Sequence, residues 1–331
     1  MQNPELPFNT EIEEETALNV LRAESSLRNP EWLLALTNLE GIGNKKALSL
    51  IQRFESYDEL MRSPEEEIRK VIGKNQIDFS RLEKVDVRQP NDVKLVTYFD
   101  QNYPVGLREL SDAPLTLWYR GVIPSARSIA IVGTRNPDNW GRTASQRMAE
   151  MCGTAGFAVI SGLALGIDAE AHIGCLKTKS PTVAVLASDV RFPTPISNSK
   201  LASEILEKGG CLIAEKPMGT ETNSSGLVAR NRLQAAWAQS IIVPQCGIPS
   251  GTLHTVRFGL ELGRKLIVLN PPAPFNESHY EGNIRLTQKS PGDFQFLGGT
   301  KKFQESIKNR TRIADLSVNS IEDFESFLNH A

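Results

Sequence analysis

The sequence predicts an α/β protein: a doubly wound parallel sheet of Rossmann type, with a small all-helical domain before it. Three observations predict this. Short, continuous apolar runs recur from Ser128 to Leu269, each run is followed by a window of helical spacing, and the first ninety residues hold helix signals but no such run. A run of four or five apolar residues with no alternation is what a strand buried on both faces requires. Strand and helix in strict alternation mean βαβ crossovers and hence a parallel sheet.

The elements follow in order. Residues 1–25 form an acidic tail with little periodicity. Residues 26–90 form the helical domain. Asn29-Pro30-Glu31 supplies a cap, a proline at the first helical position and an acid near the positive helix end. Trp32, Leu33, Leu36 and Leu39 give that helix an apolar face. Ser63-Pro64-Glu65-Glu66 reads as a capping box, and Gly73 stops the helix it opens. The domain at 91–272 begins with a lead-in containing two strands, DVKLVTYF (92–99) and LTLWYR (115–120). Six runs follow: SIAIV (128–132), FAVIS (157–161), TVAVL (182–186), CLIAE (211–215), SIIVP (240–244) and KLIVL (265–269). Helical windows lie at 140–153, 167–177, 198–208, 229–238 and 252–262. Residues 273–331 read as a linker and a small C-terminal segment. PPAPFNESHY reads as linker, and SIEDFESFLNH (320–330) as a helix with Ile321, Phe324, Phe327 and Leu328 on one face.

Composition narrows the function classes. The chain has 331 residues, 40% hydrophobic and 23% charged, which excludes a disordered or collagenous chain. No apolar run approaches the ~18 residues of a membrane helix. The polar, acidic start does not read as a secretory signal. These features predict a cytoplasmic protein with no membrane contact, in which Cys152, Cys175, Cys211 and Cys246 stay as thiols. No C-x-x-C pattern occurs and the four histidines are scattered, so no metal site is expected. The net charge is −2, yet residues 127–270 hold 15 basic and 10 acidic side chains, leaving −7 for the rest. A basic block in an acidic protein suits a local anion-binding surface, although chance scatter gives the same count.

In a doubly wound sheet, ligands sit beyond the carboxyl ends of the strands. Gly133-Thr134-Arg135 follows the first run, and Gly162 through Asp168 the second. Lys216-Pro217-Met218-Gly219 and then Arg230-Asn231-Arg232 follow the fourth, and Ser250-Gly251-Thr252 the fifth. Glycine admits a ligand to the backbone, helix N-termini favour anions, and arginine forks onto phosphate. Taken singly, each is equally a tight turn or a helix cap. No G-x-G-x-x-G follows the first strand, and neither a G-x-x-x-x-G-K-[ST] loop nor a G-x-S-x-G elbow occurs. These absences disfavour a dinucleotide cofactor, a nucleoside triphosphatase and a hydrolase. Asp168 and His172 share a helix face as a possible acid–base pair, or as a cap and a packed ring. No catalytic residue and no cofactor is assigned. In the helical domain, LEGIGNKKALSLI matches the helix-hairpin-helix pattern. Gly41 and Gly43 would shape a turn facing a DNA phosphate, with Lys45 and Lys46 adding charge. The same pattern also suits a purely structural hairpin.

These segments together resemble the DNA-processing protein A family (DprA, also called Smf) over about residues 30–270. The resemblance rests on IAIVGTRNPDNWGR (129–142), VISGLALGIDAEAH (159–172), ARNRLQAAWA (229–238) and SGTLHTVRFGLELGRKLIVL (250–269), with the lead-in NYPVGLRELSDAPLTLWYRG. It implies a helical N-terminal domain and an extended Rossmann fold. It further implies a non-catalytic, homodimeric protein that binds single-stranded DNA and loads a RecA-type recombinase in recombination or transformation. Arg135 matches the arginine of V-G-[ST]-R. Ser161, Gly162, Gly166 and Asp168 match S-G-L-A-x-G-I-D. Arg230, Asn231 and Arg232 match R-N-R, and Ser250, Gly251 and Thr252 match S-G-[ST]. Leu165 stands where the family has Lys or Arg, Leu227 where it has Phe, Gln245 for Glu and Pro271 for Gly. Residues 273–331 do not resemble the winged helix many members carry.

On this reading a single strand runs along the sheet edge. Arg135, Arg230 and Arg232 neutralise phosphates, and Trp140 or Trp237 supplies any stacking. About four neutralised phosphates give a single-strand salt slope of about −2.8. The alternative is a nucleotide-ligand sensor or nucleotide-processing protein using the same cradle. A third is a scaffold that meets a recombinase through the C-terminal helix.

Overall fold

The computed structural model describes residues 26–73, 77–88, 90, 92–220, 223–288 and 294–330. The predicted acidic tail at 1–25 lies outside them. The chain divides into two units. The first comprises the described residues up to Arg88 with Thr97–Phe99 and Ser111–Thr116, and the second holds the rest.

In the first unit, helices α1 (Pro30–Asn38), α2 (Asn44–Arg53), α3 (Tyr57–Arg62) and α4 (Glu65–Ile72) enclose one core. Leu27, Leu33, Leu36, Leu50, Phe54 and Leu60 are fully buried in it. Trp32 stacks on Tyr57 with ring centroids 4.3 Å apart. Ser56 caps α3 by accepting from the Glu59 N–H. The predicted capping box at Ser63 does not form. Pro64 occupies the N-cap position of α4 without a side-chain bond, and the Ser63 hydroxyl instead donates back to the Glu59 carbonyl, 2.7 Å away.

The second unit is built on a sheet of nine strands among the described residues. These are β1 (Lys94–Thr97), β2 (Thr116–Gly121), β3 (Ser128–Ile131), β4 (Ala158–Ser161), β5 (Thr182–Leu186), β6 (Cys211–Ala214), β7 (Ser240–Val243), β8 (Lys265–Leu269) and β9 (Leu316–Val318). Their order is β1-β2-β6-β5-β4-β3-β7-β8-β9. From β6 to β9 every pairing is parallel, and β2 lies antiparallel on β6. Chain order runs outward from β3 in both directions, so the topology reverses between β3 and β7. All residues of β3 to β7 are buried, as continuous apolar runs require.

Helices α5 (Asn139–Thr154), α6 (Ile167–Cys175), α7 (Ser199–Glu207), α8 (Ser224–Trp237) and α9 (Thr252–Glu261) cross between strands. Asp138 caps α5 by accepting from the Gly141 N–H at 2.7 Å. Asn223 caps α8 through the Gly226 N–H at 2.7 Å, which starts that helix five residues before the predicted 229.

The C-terminal segment departs most from the sequence reading. The predicted linker PPAPFNESHY runs into helix α10 (Glu277–Thr287), because Asn276 caps it through the Ser278 N–H. After α11 (Lys301–Ile307), β9 pairs with β8, and α12 (Ile321–His330) covers it. Phe324 and Val318 join the same core cluster as Ile131, Ile242 and Ile267. The segment set apart at 273–331 therefore contributes to the sheet and core of the second unit.

Candidate nucleic-acid interface

A cleft of about 420 Å³ opens between β3 and β7, where the strand order reverses. This is where a doubly wound sheet leaves room beyond its carboxyl ends. Of the predicted residues, the cleft gathers Gly133, Thr134, Arg135, Arg230, Asn231, Ser250, Gly251 and Thr252.

The loop after β3 is fixed by packing. A Cβ at Gly133 would lie 2.6 Å from Ile167 and 2.7 Å from the Gln245 carbonyl, so only glycine fits. The Thr134 N–H donates to that carbonyl at 2.9 Å, and the Ile167 N–H donates to the Thr134 carbonyl at 3.1 Å. Gly166, at φ +77°, lies against the backbone of Thr134 and Arg135. This packing presents Arg135, whose side chain is exposed and makes no ion pair or hydrogen bond among the described residues. Across the cleft, the Asn231 amide donates to the Gly251 carbonyl at 3.2 Å and ties α8 to the loop before α9. The Ser250 hydroxyl accepts from the Thr252 N–H at 3.2 Å, leaving Gly251 as an uncapped helix start.

The floor differs from the prediction. Arg230 is 6% exposed, and its Nη1 donates to the Val185 carbonyl at 2.5 Å. The Asp168 carboxylate accepts from the Gly162 N–H at 3.1 Å and lies near enough to favour the Arg230 charge. Burial pushes the Asp168 carboxyl upward, and the nearby Arg230 opposes that rise. Gly162 is needed because a Cβ there would lie 1.7 Å from Arg230 Nη1. Ser161 donates to the Ile131 carbonyl at 2.7 Å between strands. Ser161, Gly162 and Gly166 thus build the floor and its supports; they do not line the cleft. Arg232 lies outside it, paired with both oxygens of Glu215 at 2.8 and 3.0 Å. Arg230 thus lines the cleft but is buried on a backbone carbonyl, and Arg232 is buried in an ion pair with Glu215, so neither stands free as Arg135 does.

Neither tryptophan reaches the cleft. Trp237 is 8% exposed at the end of α8, and Trp140 packs edge-on to Tyr280 at 6.0 Å. His172 is fully buried, with Nδ1 2.7 Å from the Thr182 hydroxyl. That hydroxyl donates to the Val159 carbonyl, so it accepts from His172, which is then a neutral Nδ1–H ring. Burial pushes its pKa down to about 3, which removes it as an acid–base partner for Asp168. Sequence reasoning missed Asn136, Gln234 and Thr255, which also line the cleft. The four-residue step from Arg230 to Gln234 was the available signal.

In the first unit, Gly41 (φ +82°) makes the turn between α1 and α2, and Gly43 starts α2 without a side-chain cap. Lys45 is exposed, but Lys46 donates to the Gly41 carbonyl at 2.9 Å and closes the turn. Glu40, Asp78 and Glu83 line the cavity beside this turn, with Arg81 as its cation.

The family model for DNA recombination-mediator protein A matches residues 94–294. The chain belongs to this family. Protein Smf of Synechocystis is 27% identical over 265 residues, 75% of this chain and 66% of its own length. DNA processing protein DprA of Bacillus subtilis is 28% identical over 68% of this chain and 76% of its own. The chain spans only 52% of the length of the Escherichia coli Smf protein, to which it is 31% identical. The fold matches the X-ray structure of DprA from Streptococcus pneumoniae with a TM-score of 0.62, over 89% of this chain and 95% of that one, at 21% identity. It also matches DNA processing protein A from Helicobacter pylori, a protein with a unique single-stranded DNA binding mode. That TM-score is 0.56, over 72% and 94% of the two chains, at 23% identity. Among the described residues no helix is long and apolar enough to cross a membrane.

Proposed function

We propose that this chain binds single-stranded DNA along the β3/β7 edge of its sheet, as a non-catalytic member of its family. The observation that carries the reading is Arg135. It is an exposed guanidinium with no ion pair among the described residues, held at the mouth of a cleft built from three backbone loops. A free guanidinium beside the helix start at Gly251, a residue with no side chain to cap it, suits a phosphate diester. The Helicobacter pylori relative's mode of binding supports the choice of ligand. Membership of a DNA-processing family favours DNA over a small nucleotide. The hairpin of Gly41, Gly43, Lys45 and Lys46 is a second, weaker contact in this reading. A RecA-type recombinase as partner, a homodimer and a cytoplasmic setting complete it, with no cofactor.

Fluorescence anisotropy with labelled oligo-dT tests the reading. A hydrogen-bonded charge contributes about 1.5–3 kcal/mol, so Arg135→Ala should weaken binding by roughly 10- to 100-fold. Unchanged affinity would reject this path for the strand.

A further inference from the structure

Three apolar side chains stand exposed beside the cleft, on the loops that follow β4 and β5. Leu165 is 45% exposed, Phe192 66% and Ile196 84%. The two loops are joined, since the Asn198 amide donates to the carbonyls of Leu163 at 2.8 Å and Ala164 at 3.3 Å. Ala164 itself lines the cleft, so the apolar patch is continuous with it.

The backbone of Phe192 is held on both sides, and its ring is exposed. Its N–H donates to the Asp189 carbonyl at 3.1 Å, and its own carbonyl accepts from the Ser188 hydroxyl at 3.3 Å. Asp189 is buried and anchors this loop. Its carboxylate accepts from the Arg191 N–H and guanidinium and from the Gly219 N–H at 2.7 Å. The Arg191 guanidinium lies 5.2 Å from the Phe192 ring centroid. The loop docked through Gly219 also carries Lys216, which is exposed and has no ion pair among the described residues. The patch is therefore an exposed aromatic ring on a hydrogen-bonded loop, with Leu165 and Ile196 on the joined loops and the Arg191 guanidinium beside the ring.

We infer that Phe192, flanked by Leu165 and Ile196, is a stacking platform for an unpaired nucleobase of the strand whose phosphates lie at Arg135. This rests on the reading of the cleft given above. A nucleobase is the occupant the surroundings favour. It has a flat π-face for the ring, and its own phosphate would meet the Arg191 guanidinium. The Asn198 bonds to Leu163 and Ala164 tie the loop carrying Phe192 to the loop that lines the cleft, beside which the neighbouring nucleotides of the strand would run. Every base has such a face, so the platform tolerates sequence.

The test compares labelled oligo-dT with an abasic sugar-phosphate oligomer of equal length, on the full chain. Phe192→Ala should weaken oligo-dT by between about 5- and 100-fold and leave the abasic oligomer unchanged. Phe192→Trp should restore affinity, with its emission quenched by oligo-dT but not by the abasic strand. Arg135→Ala should weaken both ligands. An unchanged Phe192→Ala beside a weakened Arg135→Ala overturns the platform and leaves the cleft standing. Equal weakening of both ligands by Phe192→Ala also overturns it, as does loss of self-association with DNA affinity intact. Two variants that both bind like wild type overturn the cleft and the platform together.

Discussion

A methyl group at position 162 would lie 1.7 Å from Arg230 Nη1 and 2.4 Å from its Cζ, in a place where Arg230 is almost wholly buried. Gly162→Ala should therefore displace the guanidinium from the Val185 carbonyl. Overpacking of this kind costs about 1–3 kcal/mol, to be read as a lowered denaturation midpoint with unchanged m-value. His172 gives a second test at this scale. Its pKa is about 3 in the fold, held down by burial and by Arg230, against about 6.5 unfolded. Between those values the unfolded chain binds a proton that the folded chain refuses. Stability from this group is full above about pH 6.5 and is lost as pH falls toward 3, by at most ~1.4 kcal/mol per pH unit. Thermal melts from pH 7 to 5 should show a shallower decline in His172→Gln than in wild type. Equal slopes would mean that the ring is protonated in the fold.

The C-terminal elements test whether β9 and α12 belong to the core. Phe324 is 1% exposed and stacks on Phe327 with centroids 5.9 Å apart. Phe324→Ala should cost about 3–5 kcal/mol and shift the unfolding of the second unit as a whole. A separate early transition, with the main one unmoved, would show that α12 is an appendage. These same elements mark the limit of legibility. Strands β3 to β8 could be read because burial on both faces demands an unbroken apolar run. β9 is only three residues, Leu316, Ser317 and Val318, with two of them half-buried, and so leaves no such run. α10 hides behind the prolines of 271–274, since its start is set by the Asn276 cap and not by its hydrophobic spacing. At the site, the glycine turns and Arg135 were legible because a tight βα turn restricts residue type locally. The fates of Arg230 and Arg232 were not, because the groups that hold them, the Val185 carbonyl and the Glu215 carboxylate, come from β5 and the end of β6.

On the scale of the whole chain, many of the basic side chains at 127–270 are already engaged within the molecule. Arg142 meets Glu170, Arg191 meets Asp189, Arg232 meets Glu215 and Arg264 meets Glu109, while Arg230 donates to the Val185 carbonyl. Pairing within the stretch leaves its net charge as counted but lowers the number of cations free to meet a phosphate. Near the cleft and its flank, Arg135 and Lys216 are the exposed cations without an ion pair among the described residues. Two neutralised phosphates give a salt slope of about −1.4, so raising salt from 50 to 200 mM should cost only about 7-fold in affinity for oligo-dT. The count from sequence, with Arg230 and Arg232 engaged, gives about −2.8 and a loss near 50-fold. A measured slope near the steeper value would mean that binding breaks the Arg232–Glu215 pair, draws Arg230 off the Val185 carbonyl and turns both guanidinium groups toward the strand. Glu215→Gln then separates the cases. It leaves a shallow slope unchanged if Arg232 stays buried, and strengthens binding if Arg232 is drawn out to a phosphate.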